Sequence, residues 1–418
     1  MVSTPLGRVV RRHATRAVTE ALADTRVVLV NGARQSGKST LVKQITSERS
    51  AEWRDLDMSF VRQSAMADPD GFVDFSPIMV IDEIQRVPEL LLAIKARVDA
   101  DPQPGQYLLT GSSRLLALRT LPDTLVGRME TIELWPFSQG EIDNTSDGFV
   151  DSIFDQGAAL QHNSTVTRSE YADRIVRGGF PESVARASDR RRQHFLSSYV
   201  GDLISRDMTA LLEVERVAEM RTLIRLLAAR SGRLLVGQAL GREAGLSATT
   251  TSRYLNLLEE VFLIKRIPAW SRNLGNRAIR TSKMAFVDSG VAAHLLGADA
   301  RGLIRPGGPF GPLLEGFVLM ELARQLTWAD EQVDLFHYRT KDQVEVDAVL
   351  ENRRGQVVGI EVKASSTVRA DDFRGLRHLA DRLGEDFLAG IVLHTGTLTL
   401  PFGDRMRAMP VSALWEVG

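Results

Sequence analysis

The 418 residues predict an α/β fold built around a phosphate-binding loop, then a helical segment, a winged helix-turn-helix and a second α/β region. Three observations carry this. The run Gly32-Ala33-Arg34-Gln35-Ser36-Gly37-Lys38-Ser39 fits G-x-x-x-x-G-K-[ST], between an apolar strand-like stretch (26–30) and a helix start (40–45). Pro77-Ile78-Met79-Val80-Ile81-Asp82-Glu83 reads as a central parallel strand whose carboxyl end opens on a site. Residues 235–244 and 249–261 have helical apolar spacing and are joined by Gly245-Leu246-Ser247, a helix-turn-helix pattern with its turn glycine.

Each element follows from local chemistry. Residues 1–25 hold Arg8, Arg11, Arg12 and Arg16 without the apolar core of a signal peptide, and are expected to form an amphipathic helix packed on the nucleotide-binding domain. The loop glycines let the backbone wrap a phosphate, so that N–H groups and the helix N-terminus face it. Gly32 through Thr40 are thus the expected nucleotide cradle, with Lys38 reaching the β- and γ-phosphates and the Ser39 hydroxyl on Mg²⁺. Asp82 is expected to hold Mg²⁺ through water, and Glu83 to orient the attacking water. The next apolar run ends in Thr110-Gly111-Ser112-Ser113, where Ser112 or Ser113 suits a γ-phosphate sensor. Arg128, just before the strand-like run 129–134, is the expected arginine finger, with Arg114 and Arg206 as competitors.

Strand and helix patterns alternate from 26 to 140, the sign of a parallel sheet. The polar, aperiodic stretch 143–169 reads as a linker or long loop, and 170–210 as helical. The expected organisation is a nucleotide-binding domain (1–145), linker (146–169), helical segment (170–214), winged helix-turn-helix (215–298) and a final α/β domain (299–418).

Composition narrows the function classes. A content of 44% hydrophobic and 25% charged residues is that of a globular protein, and a net charge of −1 leaves room only for a local nucleic-acid patch. The absence of cysteine excludes disulfides, thiolate zinc sites and cysteine catalysis, and fits a cytoplasmic location. No apolar stretch approaches the ~20 residues of a membrane span. The seven histidines are scattered and suggest no metal site.

The second helix of the pair offers Thr249, Thr250, Thr251, Ser252, Arg253 and Asn256 to phosphates and base edges. Beyond it Lys265, Arg266, Arg272, Arg277, Arg280 and Lys283 occur with no acid between 261 and 287, as expected of a hairpin wing tracking a DNA backbone. Near the end, 342–350 and 357–363 alternate like strands around the turn Asn352-Arg353-Arg354-Gly355. Alternation puts Glu361 and Lys363 on one face, with Asp347 on the partner strand and Glu315 on a preceding helix (313–326). Three acids and a lysine at a strand pair predict a Mg²⁺ or Mn²⁺ site, the lysine orienting water or stabilising a phosphorane.

Residues 26–138 resemble the bacterial and archaeal AAA-family ATP-binding proteins through the phosphate loop, Ile81-Asp82-Glu83-Ile84-Gln85, Leu109-Thr110-Gly111-Ser112-Ser113 and Gly127-Arg128. Arg177-Gly178-Gly179-Phe180-Pro181-Glu182 and Ser205-Arg206-Asp207 look like the helical segment that follows in that family. The carboxyl half is similar to its usual partner, a domain of unknown function grouped with restriction-endonuclease-like folds. There Asp347, Glu361 and Lys363 match D…E-x-K and Glu315 matches the preceding helical acid, whereas Val346 stands where the signature has proline. The loop and its acids imply ATP and Mg²⁺ as cofactors, the helix pair with its basic stretch implies DNA as a partner, and an arginine finger acting between subunits would require a homo-oligomer. Three readings follow: an ATP-gated nuclease, an ATP-dependent switch that binds nucleic acid without cutting it, and a protein-interaction ATPase.

Overall fold

A computed structural model describes residues 7, 9–74, 77–112, 125–208, 217–273 and 281–418. Ser113, Arg114, Arg277 and Arg280 lie outside these residues, as does the side chain of Arg206. The chain divides into two compact units, Met1–Phe137 with Glu260–Phe262, and Ser138–Glu259 with Leu263–Gly418.

In the first unit, α1 (Thr15–Asp24) leads into β1 (Val27–Asn31), the phosphate loop and α2 (Lys38–Thr46). Then come β2 (Ala51–Asp55), α3 (Ser59–Ala67), β3 (Ile78–Asp82), α4 (Leu90–Ala100), β4 (Tyr107–Gly111) and β5 (Met129–Glu133). The sheet is parallel, in the order β2-β3-β4-β1-β5. Period-two alternation splits its side chains between two cores. Val27, Leu29, Met79, Ile81, Tyr107 and Leu109 pack with Leu90, Ile94 and Val98 of α4. Val28, Val30, Val80 and Leu108 pack with Val18, Ala21 and Leu22 of α1 and Leu41 and Val42 of α2. Coverage on both faces is why these strands read as continuous apolar runs. The amphipathic amino-terminal helix is present as expected, its apolar stripe on the second of these cores.

The second unit begins at Ser138, ahead of the expected boundary at 145. Ser138 caps the short helix Gln139–Asp143 in a capping box, and the Gln139 N–H bonds Glu321 Oε2 at 3.0 Å inside this unit. Part of the stretch expected to be linker is helical: α5 (Phe149–Gln156) buries Phe149, Val150, Ile153 and Phe154, an apolar face hidden by the surrounding polar sequence. Next are α6 (Arg168–Arg177), α7 (Asp189–Asp202) and α8 (Val217–Ala228). The helix pair α9 (Gly237–Ala244) and α10 (Ala248–Glu260) turns at Gly245, φ 70°, and is followed by an antiparallel ribbon of β6 (Ile264–Ile267) and β7 (Lys283–Phe286). Helix α11 (Ser289–Leu295) then precedes α12 (Phe310–Gln325), which is buried over most of its length and packs against β7.

The chain ends in a six-stranded mixed sheet. Its strands are β8 (Val333–Arg339), β9 (Glu345–Asn352), β10 (Val357–Lys363), β11 (Phe387–His394), β12 (Leu400–Pro401) and β13 (Met406–Pro410), ordered β12-β13-β11-β10-β9-β8. The expected β9–β10 hairpin is antiparallel, with Ile360 opposite Ala348 and Gly355 in its turn at φ 80°. Helix α13 (Arg374–Leu383), between β10 and β11, covers one face through Leu376, Leu379 and Leu383.

The Gly178-Gly179 motif is a backbone clamp. Gly178 has φ 65°, and a Cβ there would stand 2.3 Å from Asp288 Oδ1. Asp288 accepts from Gly179 N at 2.7 Å while capping α11 through Val291 N at 3.0 Å, so no side chain fits at Gly178.

Candidate nucleotide site and acid–lysine cluster

The carboxyl ends of β1, β3 and β4 lie side by side, and the residues of the first site come from them. Gly37 opens α2 in a left-handed conformation at φ 99°, and a Cβ on Gly32 would overlap the Leu134 carbonyl oxygen at 2.1 Å. Both loop glycines are therefore required by geometry. Lys38 is buried and donates to the Gly32 and Ala33 carbonyls at 3.1 and 2.9 Å. Burial pushes its pKa down to about 8 against the opposing pull of Glu83 and Asp82. Ser39 Oγ donates to Asp82 Oδ1 at 3.0 Å. Burial raises the Asp82 pKa, opposed by hydrogen bonds from Thr110 and Ser39.

Glu83 sits just past the strand in a left-handed conformation, φ 59°, unusual for a glutamate and a form of strain found at functional sites. Its backbone N–H donates to Thr110 Oγ1 at 3.0 Å, its carboxylate accepts from Ser112 Oγ at 2.9 Å, and Gln85 Nε2 also reaches Glu83. Gln85 Nε2 is 2.7 Å from Ser112 Oγ as well. Lys38, Ser39, Asp82, Glu83 and Ser112 thus converge.

Sequence reasoning gave no role to Thr110, Gln85 or Arg12. Thr110, the one polar side chain within an otherwise apolar β4 run, was the available signal for the first. Arg12 is buried and joins Ser36 O (2.9 Å) in the loop to Trp135 O (2.7 Å) beyond β5. Nothing in an arginine-rich leader distinguishes it. Arg128 is not brought to this site. It forms an ion pair with Asp99, its Nη2 3.0 Å from Asp99 Oδ2, and it precedes β5 at the amino edge of the parallel sheet, whereas the loop follows β1 at the carboxyl edge. Five-residue strands separate those edges by about 16 Å, so Arg128 is remote from the loop of its own chain.

The second unit gathers Glu315 from α12, Asp347 from β9, and Glu361 and Lys363 from β10, but not as the expected metal shell. Lys283, foreseen on a DNA-tracking wing, has its side chain only 5% exposed, with Nζ 2.6 Å from Glu315 Oε1 and 2.7 Å from Asp347 Oδ1. Asp347 Oδ2 accepts the Val362 N–H at 2.9 Å, and Lys363 Nζ bonds Glu361 Oε1 at 2.9 Å. Among the described residues no group of three or more His, Cys, Asp or Glu is disposed to hold a metal ion. The reason is electrostatic: an ammonium already stands between Glu315 and Asp347. Burial, then Asp347, pushes Glu315 up to about 8, while the two acids outweigh burial and raise Lys283. Of the two acids on this ammonium, Glu315 is the one whose affinity for a proton is raised. Burial and Asp347 likewise push Glu361 up to about 7.

The helix pair also differs in part from expectation. Thr249, Ser252, Arg253 and Asn256 are exposed, but Thr251 is buried and donates to Ser247 O at 2.8 Å. Arg266 bonds Asn256 Oδ1 at 2.7 Å and pairs with Glu259, and Arg272 pairs with Asp386 at the surface.

Residues 24–143 match the family model of the AAA domain. With the loop geometry above, the first unit is an AAA-type P-loop domain of the kind that binds ATP. Residues 168–302 and 310–414 match two domains of unknown function (DUF8612 and DUF4143). The chain is 28% identical to an uncharacterized protein of Mycobacterium tuberculosis over 424 aligned residues, covering 100% of this chain and 88% of that one. An uncharacterized protein of Haemophilus influenzae is 25% identical over 328 residues, 72% of this chain and 74% of its own. Among solved structures the chain is similar to a Walker-type ATPase of Pyrococcus abyssi, with 16% identity, coverage of 69% and 96%, and TM-score 0.43. It is also similar to RuvB of Thermotoga maritima, with 21% identity, coverage of 64% and 93%, and TM-score 0.32. Among the described residues no helix is long and apolar enough to cross a membrane.

Proposed function

We propose that this protein is a Mg²⁺-dependent ATPase that serves as a nucleic-acid-binding switch. The 3.0 Å contact between Ser39 Oγ and Asp82 Oδ1 carries the reading, because it brings a hydroxyl and a carboxylate from two elements to the foot of the phosphate loop. Hard oxygen donors of this kind fit Mg²⁺, and the buried Ser36 hydroxyl, without a hydrogen-bond partner among the described residues, is a further donor for the loop's ligand. Bound there, the ion would neutralise the β- and γ-phosphate oxygens. Lys38 would exchange two carbonyls for phosphate oxygens, and Glu83 would orient the attacking water.

Ser112 and Gln85 hold the Glu83 carboxylate, so they act as positioning residues. Ser112→Ala should lower kcat about tenfold, as loss of one positioning hydrogen bond does, with KM for ATP nearly unchanged. A steady-state kcat–KM split checks this; a raised KM at constant kcat would move Ser112 to ground-state binding.

The nucleic-acid half of the reading rests on α9, α10 and the β6–β7 ribbon, which have the order of a winged helix-turn-helix, and on the exposed Arg253 and Arg272. Fluorescence anisotropy of the full chain with duplex DNA should show salt-dependent binding. Charge reversal at Arg253 or Arg272 should weaken it and flatten the salt slope by roughly one unit per lost phosphate contact. Absent or salt-independent binding would favour the protein-interaction reading instead.

A second reading, a metal-dependent phosphodiesterase, is favoured by the gathering of Glu315, Asp347, Glu361 and Lys363, and opposed by Lys283. Cleavage of single-stranded, duplex or branched DNA with Mg²⁺ or Mn²⁺, with and without ATP, and lost in Asp347→Ala, would establish it.

A further inference from the structure

We infer that Lys283 is the resident cation of the carboxyl-terminal acid cluster, occupying the seat that a divalent metal would otherwise take. The inference concerns the second unit alone and stands whether or not the first unit hydrolyses ATP. Three observations lead to it. Lys283 Nζ is within hydrogen-bond distance of one carboxylate oxygen each from Glu315 and Asp347, the two acids that would have to share a metal. Its side chain is buried at 5% exposure, so this ammonium is enclosed and is not a surface lysine leaning on nearby acids. The second oxygen of Asp347 is taken by the Val362 N–H, and Glu361, which would close the shell, gives Oε1 to Lys363 instead.

The charge balance agrees. Two ammonium groups, Lys283 and Lys363, face three carboxyls, Glu315, Asp347 and Glu361, with Asp372 at 3.8 Å from Lys363. A divalent ion would meet two positive charges already seated among these carboxyls, and it could bridge Glu315 and Asp347 only by displacing Lys283. The position of Lys283 gives this substitution a second consequence. It lies at the start of β7, Glu315 is on α12, and Asp347 is on β9, so one ammonium ties the ribbon after the helix pair to the long helix and the six-stranded sheet. The D…E-x-K arrangement persists here as a joint built from ion pairs.

The test uses the full-length, nucleotide-free protein and Mn²⁺ alone, reading free Mn²⁺ by electron paramagnetic resonance at equal concentrations of metal and protein. Wild type and Asp347→Asn should leave the same free-Mn²⁺ signal, because the cluster takes no metal in either. Wild type retaining Mn²⁺ that Asp347→Asn releases would overturn the inference. Lys283→Met, close in length and uncharged, should deplete the signal by about one Mn²⁺ per chain, and Asp347→Asn added to it should abolish that gain. A folded Lys283→Met protein that gains no Mn²⁺ would show that Lys283 does not occupy a metal seat. Should Lys283→Met fail to fold, the wild-type and Asp347→Asn comparison still decides.

Discussion

Glu83→Gln should bind Mg²⁺·ATP as wild type does and turn it over ~10²-fold or more slowly, the effect of losing a group that positions the attacking water. The side chain keeps its size and can still accept from Ser112, which lies 2.9 Å from Glu83 Oε2, so the change removes charge and basicity while leaving the scaffold in place. Lys38→Ala should act one step earlier and abolish detectable nucleotide binding, because Lys38 is the buried ammonium at the mouth of the loop. Lys38 bonds two loop carbonyls, Gly32 O and Ala33 O, within its own segment, so its loss should leave the fold of the first unit intact by circular dichroism. Equilibrium binding of a fluorescent ATP analogue and single-turnover hydrolysis separate the two variants. A Glu83→Gln enzyme as active as wild type would remove Glu83 from its role, and tight nucleotide binding by Lys38→Ala would remove the phosphate contact.

The nucleotide site was legible in sequence because its chemistry is local. The loop spans eight residues, and the strand bearing Asp82 ends in its acids, so period and spacing alone place Lys38, Ser39, Asp82 and Glu83. Thr110 and Gln85 act through contacts made across neighbouring strands, and a hydroxyl or amide in a short run gives no hint of its partner. The strand pair holding Asp347, Glu361 and Lys363 was legible for the same reason as the loop: alternation and a turn of asparagine, arginine and glycine. What could not be read was Lys283. It is 64 residues from Asp347, in a run of basic residues where a solvated wing is the economical reading, and only the packing of α12 against β7 turns it inward. Helix α5 was missed for a related reason: its buried quartet is short and its neighbours are polar, so burial in the tertiary fold outweighed the local pattern.

Lys283→Ala should destabilise the second unit by about 3–5 kcal/mol, the usual consequence of deleting one member of a buried ion pair and leaving its partners uncompensated. The loss should shrink when the partners are neutralised too. Lys283→Met with Glu315→Gln and Asp347→Asn leaves no orphan charge, and should recover most of the stability if the cost is electrostatic and not a packing defect. The pH dependence has a definite sign. Glu315 and Glu361 have folded pKa values pushed up to about 8 and about 7, above their unfolded values, so their contribution is fully present below about pH 4.5 and is lost as pH rises through the folded values. Glu321, pushed up to about 7 by burial, adds to the same trend, whereas His337, pushed down to about 4 by burial, opposes it only below its unfolded value near 6.5. Wild type should therefore lose stability between about pH 6.5 and 8, and Glu315→Gln should flatten part of that slope. Urea unfolding across this window, followed by tryptophan emission with Trp53 and Trp135 of the first unit changed to phenylalanine, reads the second unit through Trp270, Trp328 and Trp415. A Lys283→Ala protein as stable as wild type, or a Glu315→Gln protein with an unchanged slope, would mean that the cluster carries no buried charge and that its ammonium is not holding the ribbon, helix and sheet together.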